Sequence, residues 1–352
     1  MDKIDIKSLR LEELEDLLVE LGDKPFRGKQ IYEWLHVKLV SNFDDMTNIS
    51  KQLRERLKEV CQITNLFQVN KLVSKDGDTS KFLFRLYDDR VLESVLMKYH
   101  HGNSVCISSQ VGCKMGCTFC ASTIGGFERN LAPSEMLDQI YQIQKISGER
   151  VSNVVVMGTG EPLDNFDNLV QFIGMLTDEN GLNISQRNIT VSTCGLADKI
   201  KALADKNLQI TLAISLHAPN DPLRQQIMPM ANRYSIESIM EACHYYYEKT
   251  GRRITFEYSL IEGVNDLQKF AHELSHLVKG LNCHINLIPI NPIKERNYRQ
   301  SRSENIQNFK NILEKNRINV TIRREMGTDI DAACGQLRKS YMDQSSDAKA
   351  MN

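Results

Sequence analysis

Apolar residues recur at helical spacing through the first part of the chain. Leu9, Leu11, Leu14, Leu17, Leu18 and Leu21 fall near one face of a helix, and Gly22 follows as a stop. Pro25 opens a second helix carrying Ile31, Trp34, Leu35 and Leu39, and a third begins near Ser50 with Leu53, Leu57 and Val60. These predict a helical accessory domain over residues 1–65. From Phe67 the pattern changes to short strands, over 67–73, 82–87 and 91–97. Lys75-Asp76-Gly77-Asp78 reads as the hairpin turn between the first two, and residues 66–98 as a short β extension.

From Val105 strands and helices alternate. Strands are predicted over 105–109, 151–157, 188–192, 209–215, 253–260, 283–288 and 320–324. Helices are predicted over 133–147, 165–178, 196–205, 235–249, 267–279 and 303–316. Such β/α alternation implies a parallel sheet, either an open barrel or a doubly wound sheet, over residues 99–334. Residues 335–352 remain as a C-terminal tail, polar from Ser345 and expected to be disordered.

Composition narrows the setting more than the fold. An apolar content of 41% and a charged content of 25% suit a globular enzyme of 352 residues. No run of about 18 apolar residues exists, so no membrane span is expected. The start, Met1-Asp2-Lys3-Ile4-Asp5, lacks the apolar centre of a signal peptide, and a cytoplasmic protein is expected. There the nine cysteines should be thiols, and clustered ones read as ligands or catalysts. A net charge of −1 does not by itself announce a nucleic-acid partner.

The least ordinary residues follow strand ends. The cysteines of 113–120 follow the first barrel strand, and Gly158-Thr159-Gly160-Glu161-Pro162 the second. Ser192-Thr193-Cys194-Gly195 follows the third, Ser215-Leu216-His217 the fourth, Asn291 the sixth, and Asp329-Ile330-Asp331-Ala332-Ala333-Cys334-Gly335 the last. In parallel β/α folds this rim is where active sites are built.

Cys113, Cys117 and Cys120 stand in a C-x₃-C-x₂-C pattern, with Gly116 allowing a tight turn and Phe119 placed to shield. Structural zinc wants a fourth ligand nearby, and none lies at that spacing. A cubane iron–sulfur cluster held by three thiolates instead keeps one iron open for a small molecule. The loop resembles the signature of the radical S-adenosylmethionine (SAM) superfamily. The resemblance implies a partial (β/α)6 barrel and a [4Fe-4S] cluster on Cys113, Cys117 and Cys120. It also implies that SAM chelates the open iron and is cleaved by one electron to methionine and a 5′-deoxyadenosyl radical. Gly160-Glu161-Pro162 resembles the superfamily's motif for the methionine ammonium, which a carboxylate suits.

Further blocks, at 105–113, 158–165, 191–195, 213–220, 251–257, 286–291, 321–325 and 329–337, resemble one family within it. These are the dual-specificity adenine-C2 methyltransferases of large-subunit (23S) rRNA and of the adenine 3′ of the anticodon in tRNAs. The similarity covers most of residues 26–338, and Ser122-Thr123 departs from the family's common threonine-glycine without touching a ligand. Adenine C2 is electron-poor and no nucleophile, so direct attack on a sulfonium methyl is closed to it. The resemblance implies that Cys334 first accepts a methyl group from one SAM, as a thiolate nucleophile can. A radical made from a second SAM removes hydrogen from that methyl, and the methylene adds to C2. Cys106 then resolves the adduct through a transient disulfide with Cys334, and an external reductant reopens it. Glu93, which read alone is an exposed strand glutamate, becomes by resemblance the base for the C2 proton. Ser192, Ser215, Leu216, His217 and Asn291 are implied to hold SAM with Gly160 and Glu161, His217 mainly through its main chain.

A flavodoxin- or ferredoxin-type electron donor and a monomeric state are expected. Cys61, Cys194, Cys243 and Cys283 are read as inert thiols. For RNA, the nine basic residues Lys294, Arg296, Arg299, Arg302, Lys310, Lys315, Arg317, Arg323 and Arg324 outnumber the acids Glu295, Glu304, Glu314 and Glu325 over the same stretch. An adenine reached at C2 has to be unstacked first. Three rivals remain on sequence grounds: a C8 methyltransferase of the antibiotic-resistance sister family, a radical activase that makes a glycyl radical on a partner, and a zinc-stabilised RNA-binding protein.

Overall fold

The computed structural model describes residues 3–100 and 102–337. At the start, β1 (Ile4–Asp5) pairs in parallel with β2 (Cys61–Gln62), closing a module around α1 (Leu11–Glu20), α2 (Arg27–His36) and α3 (Lys51–Val60). Gly22 leaves α1 at φ +72°, and the Ser50 side chain caps α3 by accepting from the Leu53 N–H. Leu39, expected on the second helix, lies beyond its end with φ 54°. Leu14, Leu18, Ile31, Leu35, Leu53 and Leu57 are buried in one core that continues into the rest of the chain.

The remainder is built on a ten-stranded sheet. β3 (Phe67–Val73), β4 (Thr79–Arg85) and β5 (Val91–Tyr99) form an antiparallel meander, with Gly77 at φ +75° in the expected turn. β6 (Gly102–Ile107) runs antiparallel to β5 on one side and parallel to a later strand on the other. A two-stranded hairpin, β7 (Gln110–Gly112) and β8 (Phe127–Asn130), lies outside the main sheet. Then follow α4 (Pro133–Ser147), β9 (Val151–Val156), α5 (Phe166–Thr177), β10 (Ile189–Thr193), α6 (Ala197–Asp205) and β11 (Thr211–Ser215). After these come α7 (Asp221–Ile227), α8 (Ile236–Thr250), β12 (Ile254–Leu260), α9 (Gln268–Leu277), β13 (Cys283–Pro289), α10 (Ser303–Lys315) and β14 (Asn319–Ile322).

The order β14-β13-β12-β11-β10-β9-β6-β5-β4-β3 makes seven strands parallel, from β6 to β14. The expected partial barrel is therefore the fold. Its opening has a simple cause: β5 occupies the edge of β6 that β14 would need for closure. Three short elements gave no periodic signal. α7 is too brief for a hydrophobic repeat, although Asn220 caps it by accepting from the Leu223 N–H at 3.0 Å, and β7 and β8 are shorter still. Residues 335–337, assigned to the tail from sequence, pack against the cysteine loop, and Leu337 is buried. The rest of the tail lies outside the described residues. Among the described residues no helix is long and apolar enough to cross a membrane.

Candidate active site

The hairpin β7–β8 carries the three-cysteine loop at its tip. Gly112 takes φ +73°, and a Cβ there would lie 1.8 Å from the Gly126 carbonyl oxygen, so only glycine lets the hairpin close. Gly116 turns the loop between Cys113 and Cys117 at φ +74°. Distant segments pin the loop. The Thr118 N–H donates to the Ile227 carbonyl at the end of α7 (2.9 Å), and the Ala121 N–H to the Gly335 carbonyl (2.7 Å). The Ser122 hydroxyl donates to the Leu337 carbonyl at 2.9 Å.

Cys113, Cys117 and Cys120 line one cavity. Burial raises the pKa of each thiol, Cys113 to about 12, and the neighbouring thiols push Cys113 and Cys117 further the same way. A cationic core is what such sulfurs need to be thiolates. Among the described residues no three His, Cys, Asp or Glu side chains gather about a single-ion position. A cluster makes a different demand, one thiolate for each of several irons, and this all-sulfur set fits it.

The other rim segments converge on the same cavity. Gly160, at φ +110°, lies against Gln110, where a Cβ would come within 2.6 Å of the Gln110 Cβ. The Gln110 side chain accepts from the Glu161 N–H at 2.8 Å. Glu161 is buried, and its carboxylate accepts from the N–H groups of Leu163 (3.0 Å) and Cys194 (2.7 Å). Burial raises its pKa, while these bonds act in the opposite direction. Ser192 and Ser215 bring their hydroxyls within 3.3 Å of each other. His217 has φ 57°, and its Nδ1 accepts from the Ser259 N–H at 2.9 Å. That bond leaves the proton on Nε2, and burial lowers the pKa to about 3, so the ring is neutral. The His217 ring meets Phe119 edge-on at 4.9 Å. Leu216 is buried outside the lining, with its N–H donated to the Glu257 carbonyl. Asn291 lines the cavity and donates from Nδ2 to the Cys334 carbonyl at 3.2 Å.

A second chamber lies alongside, lined by Val95, Met97, Tyr99, Cys106, Met326 and Ala332 among others. Met157, Ile288, Asn291, Arg323 and Cys334 belong to both linings. Cys334 therefore stands on the wall between the three-cysteine cavity and the chamber of Cys106. Burial, and secondarily Cys334, raises the Cys106 pKa to about 12. Arg323 lies in the same field: its pKa is raised by Cys334 first, with Glu257, Cys106 and Tyr99 adding to the effect. All nine cysteines are free thiols.

Glu93 is 2% exposed, so the exposed-strand reading is wrong. Both faces of β5 are covered, one where Ser94 donates to Gln139 of α4 and the other where Val95 and Met97 pack with Met326, Ala332 and Leu337, which alternation along that strand alone does not reveal. Glu93 shares a face of β5 with Val95, one step beyond the second chamber, and is not part of either lining. It pairs at 3.4 Å with Lys81, which is also buried and donates to the Asp331 carbonyl at 3.1 Å. Lys81 thus ties Glu93 to the segment that carries Cys334, a role the sequence did not suggest. Arg323, counted from sequence among the nine basic residues for RNA, lines both chambers, and position along the chain does not say which way an arginine turns. Three others of that set are engaged in ion pairs: Arg302 with Glu262, Lys310 with Glu314, and Arg324 with Asp78. Glu257, buried on β12 and lining the cavity, was passed over, although a carboxylate inside a buried parallel strand is itself a signal. Cys61, Cys194, Cys243 and Cys283 are buried, and burial raises the pKa of each.

Comparison with known proteins agrees with this geometry. Residues 4–63 match the family described as the ribosomal RNA large subunit methyltransferase N-terminal domain, and residues 107–274 match the radical SAM superfamily. A protein of Lachnoclostridium phytofermentans named as a probable dual-specificity RNA methyltransferase RlmN is 65% identical, over 97% of this chain and 96% of its own length. A Clostridium tetani protein of the same name is 54% identical, over 97% of this chain and 98% of its own. The crystal structure of a radical SAM methyltransferase from Sphaerobacter thermophilus matches with a TM-score of 0.91 and 42% identity, covering 96% of this chain and 100% of that one. At such identity along nearly its whole length, this chain belongs to the dual-specificity RNA methyltransferase RlmN family of the radical SAM superfamily.

Proposed function

We propose that this protein methylates C2 of an adenine in large-subunit rRNA, and of the adenine 3′ of the anticodon in tRNAs, through a methylated cysteine. The observation that carries this reading is the position of Cys334 on the wall shared by two chambers, one bearing Cys113, Cys117 and Cys120 and the other bearing Cys106. Cys113, Cys117 and Cys120 would hold a [4Fe-4S] cluster, and Gly160, Glu161, Ser192, Ser215, His217 and Asn291 surround the space for SAM. When bound, these groups supply a carbon-centred radical by one-electron reductive cleavage.

The chain's own residues do the rest. Cys334, as the thiolate, accepts a methyl group by displacement and so carries the carbon to be transferred. Arg323 lines the same two chambers as that sulfur and keeps a cationic group at the shared wall. After the carbon has bonded to C2 and the radical adduct has given back one electron, the Cys106 thiolate attacks the Cys334 sulfur, forming an S–S bond as the Cys334 S–C bond breaks, and the released carbon takes up a proton to become the methyl group. Glu93 takes the C2 proton, with Lys81 holding its carboxylate. Two electrons from an external reductant must then reopen the disulfide, which suits a cytoplasmic setting, while a flavodoxin- or ferredoxin-type donor would supply single electrons. The adenine has to be flipped out of its stack to bring C2 to Cys334.

Anaerobic assay of the cluster-loaded protein with SAM and a short rRNA fragment, followed by identification of the product nucleoside, tests the proposal. The expected product is 2-methyladenosine, in rRNA and in tRNA substrates alike. Methyl at C8, or turnover by Cys334→Ala, would overturn it.

A further inference from the structure

Arg224, on α7, is buried with 0% exposure, yet among the described residues it forms no close ion pair: its hydrogen bonds go to carbonyls, and Asp221, one turn earlier on the same helix, acts on it only through its field. Its Nε donates to the Leu216 carbonyl at 3.1 Å, and its Nη2 donates to the carbonyls of Cys194 and Ser215. Its remaining nitrogen, Nη1, is buried with no hydrogen-bond partner. Proteins seldom bury a cation in this way, because the lost hydration has to be matched by a negative charge.

The place where that charge would arise is next to α7. Ile227, at the end of the helix, accepts from the N–H of Thr118, the residue that follows Cys117. Pro229, just beyond, packs over Gly116, where a Cβ would lie 3.3 Å from the proline Cγ. The helix of Arg224 is thus fastened to the loop on both sides of Cys117, and Arg224 and the Cys117 sulfur feel each other's charge. Three thiolates outweigh the charge of a cubane core, and one-electron reduction adds to the excess.

We propose that Arg224 is the internal counter-charge of the iron–sulfur site, raising the reduction potential of the cluster while it clamps the ends of β10 and β11 by their carbonyls. This inference rests on the radical SAM reading above. Arg224 is a positioning residue: it is buried outside the lining of the three-cysteine cavity. The alternative is a clamp alone, in which the carbonyl bonds matter and the charge does not.

Two variants separate these cases. Arg224→Lys and Arg224→Gln both break the three-carbonyl fork, but only the lysine keeps the charge. Each is purified and loaded with iron and sulfide anaerobically. The cluster's midpoint potential is measured by EPR-monitored redox titration, with iron content and thermal midpoint alongside. The expected result is a more negative potential for Arg224→Gln, by roughly tenfold in the one-electron equilibrium or ~59 mV, with Arg224→Lys close to the parent protein. Equal shifts in both variants, or a shift in neither, overturn the inference. If Arg224→Gln loads no iron while Arg224→Lys loads fully, the charge is needed for the cluster and the inference stands. If both fail to load, the fork alone matters and the inference falls. Absence of any iron–sulfur signal in the parent protein would sink the underlying reading instead.

Discussion

Cys106 and Cys334 are both thiols near the same arginine, yet their surroundings differ. Cys106 is 7% exposed on a central strand, and burial pushes its pKa to about 12. Cys334 is half-buried on a loop and reaches both chambers. The more open sulfur suits acceptance of a methyl group, and the sequestered one suits a later step, when Cys334 already bears the adduct. Replacing Cys106 by alanine should therefore stop the reaction after carbon–carbon bond formation. A denaturing gel of the Cys106→Ala variant incubated with SAM and labelled RNA should show a covalent protein–RNA species, absent from Cys334→Ala. Free methylated RNA released by Cys106→Ala at the parent rate would refute the division of labour. At this scale the sequence was legible where residue type limits the chemistry, as with the three cysteines. It was silent on Arg323 and Lys81, because the direction of a long side chain is decided by what it packs against.

Among elements, the β7–β8 hairpin has the strictest geometry. Its two strands hold a loop whose ends are fixed by the Cys113 N–H donating to the Gly126 carbonyl at 3.0 Å. Gly112 permits that closure, since any Cβ would collide with the Gly126 oxygen. Gly112→Ala should displace the loop and lower the iron retained per chain by several-fold. Gly148→Ala is the control: it also sits at positive φ, +70°, but nothing lies within 4 Å of its Cβ position. It should lose only about 1 kcal/mol of stability and keep its iron. Equal iron content in the two variants would show that the hairpin closure is not what shapes the site. The hairpin escaped sequence analysis because strands this short have no measurable period, whereas α4 and α10 were legible from theirs.

On the scale of the whole molecule, the N-terminal module is fastened to the barrel by buried polar contacts. Lys7 and Asp138, 2% and 1% exposed, form an ion pair at 2.9 Å. Lys7 also donates to Thr64 and Asn65, and Asp138 accepts from the Leu66 N–H at 2.6 Å. His36 Nδ1 and the Tyr141 hydroxyl lie 2.8 Å apart across the same interface. Asp138→Ala would strand a buried ammonium, and chemical denaturation should show a loss of about 3–5 kcal/mol. The double variant Lys7→Met with Asp138→Leu should recover most of it, since no charge is then left unpaired. A loss near zero for Asp138→Ala would mean that the ion pair does not secure the module.

The sequence by itself determined the order of the longer elements, the parallel character of the sheet and the three-cysteine loop with its superfamily spacing. Each of these depends on local period or on residue type at fixed spacing, and both are written along the chain. Tertiary structure alone decided that the barrel stays open, because that depends on β5 taking the free edge of β6. It alone buried Glu93 beside Lys81, placed Arg323 in the linings that hold two cysteines and left Arg224 with an unpartnered nitrogen. It also brought Cys334, from the far end of the chain, to a wall shared with the loop cysteines. Contacts between residues so distant in sequence leave no periodic trace, because they are fixed by how the sheet curves and which edges are taken.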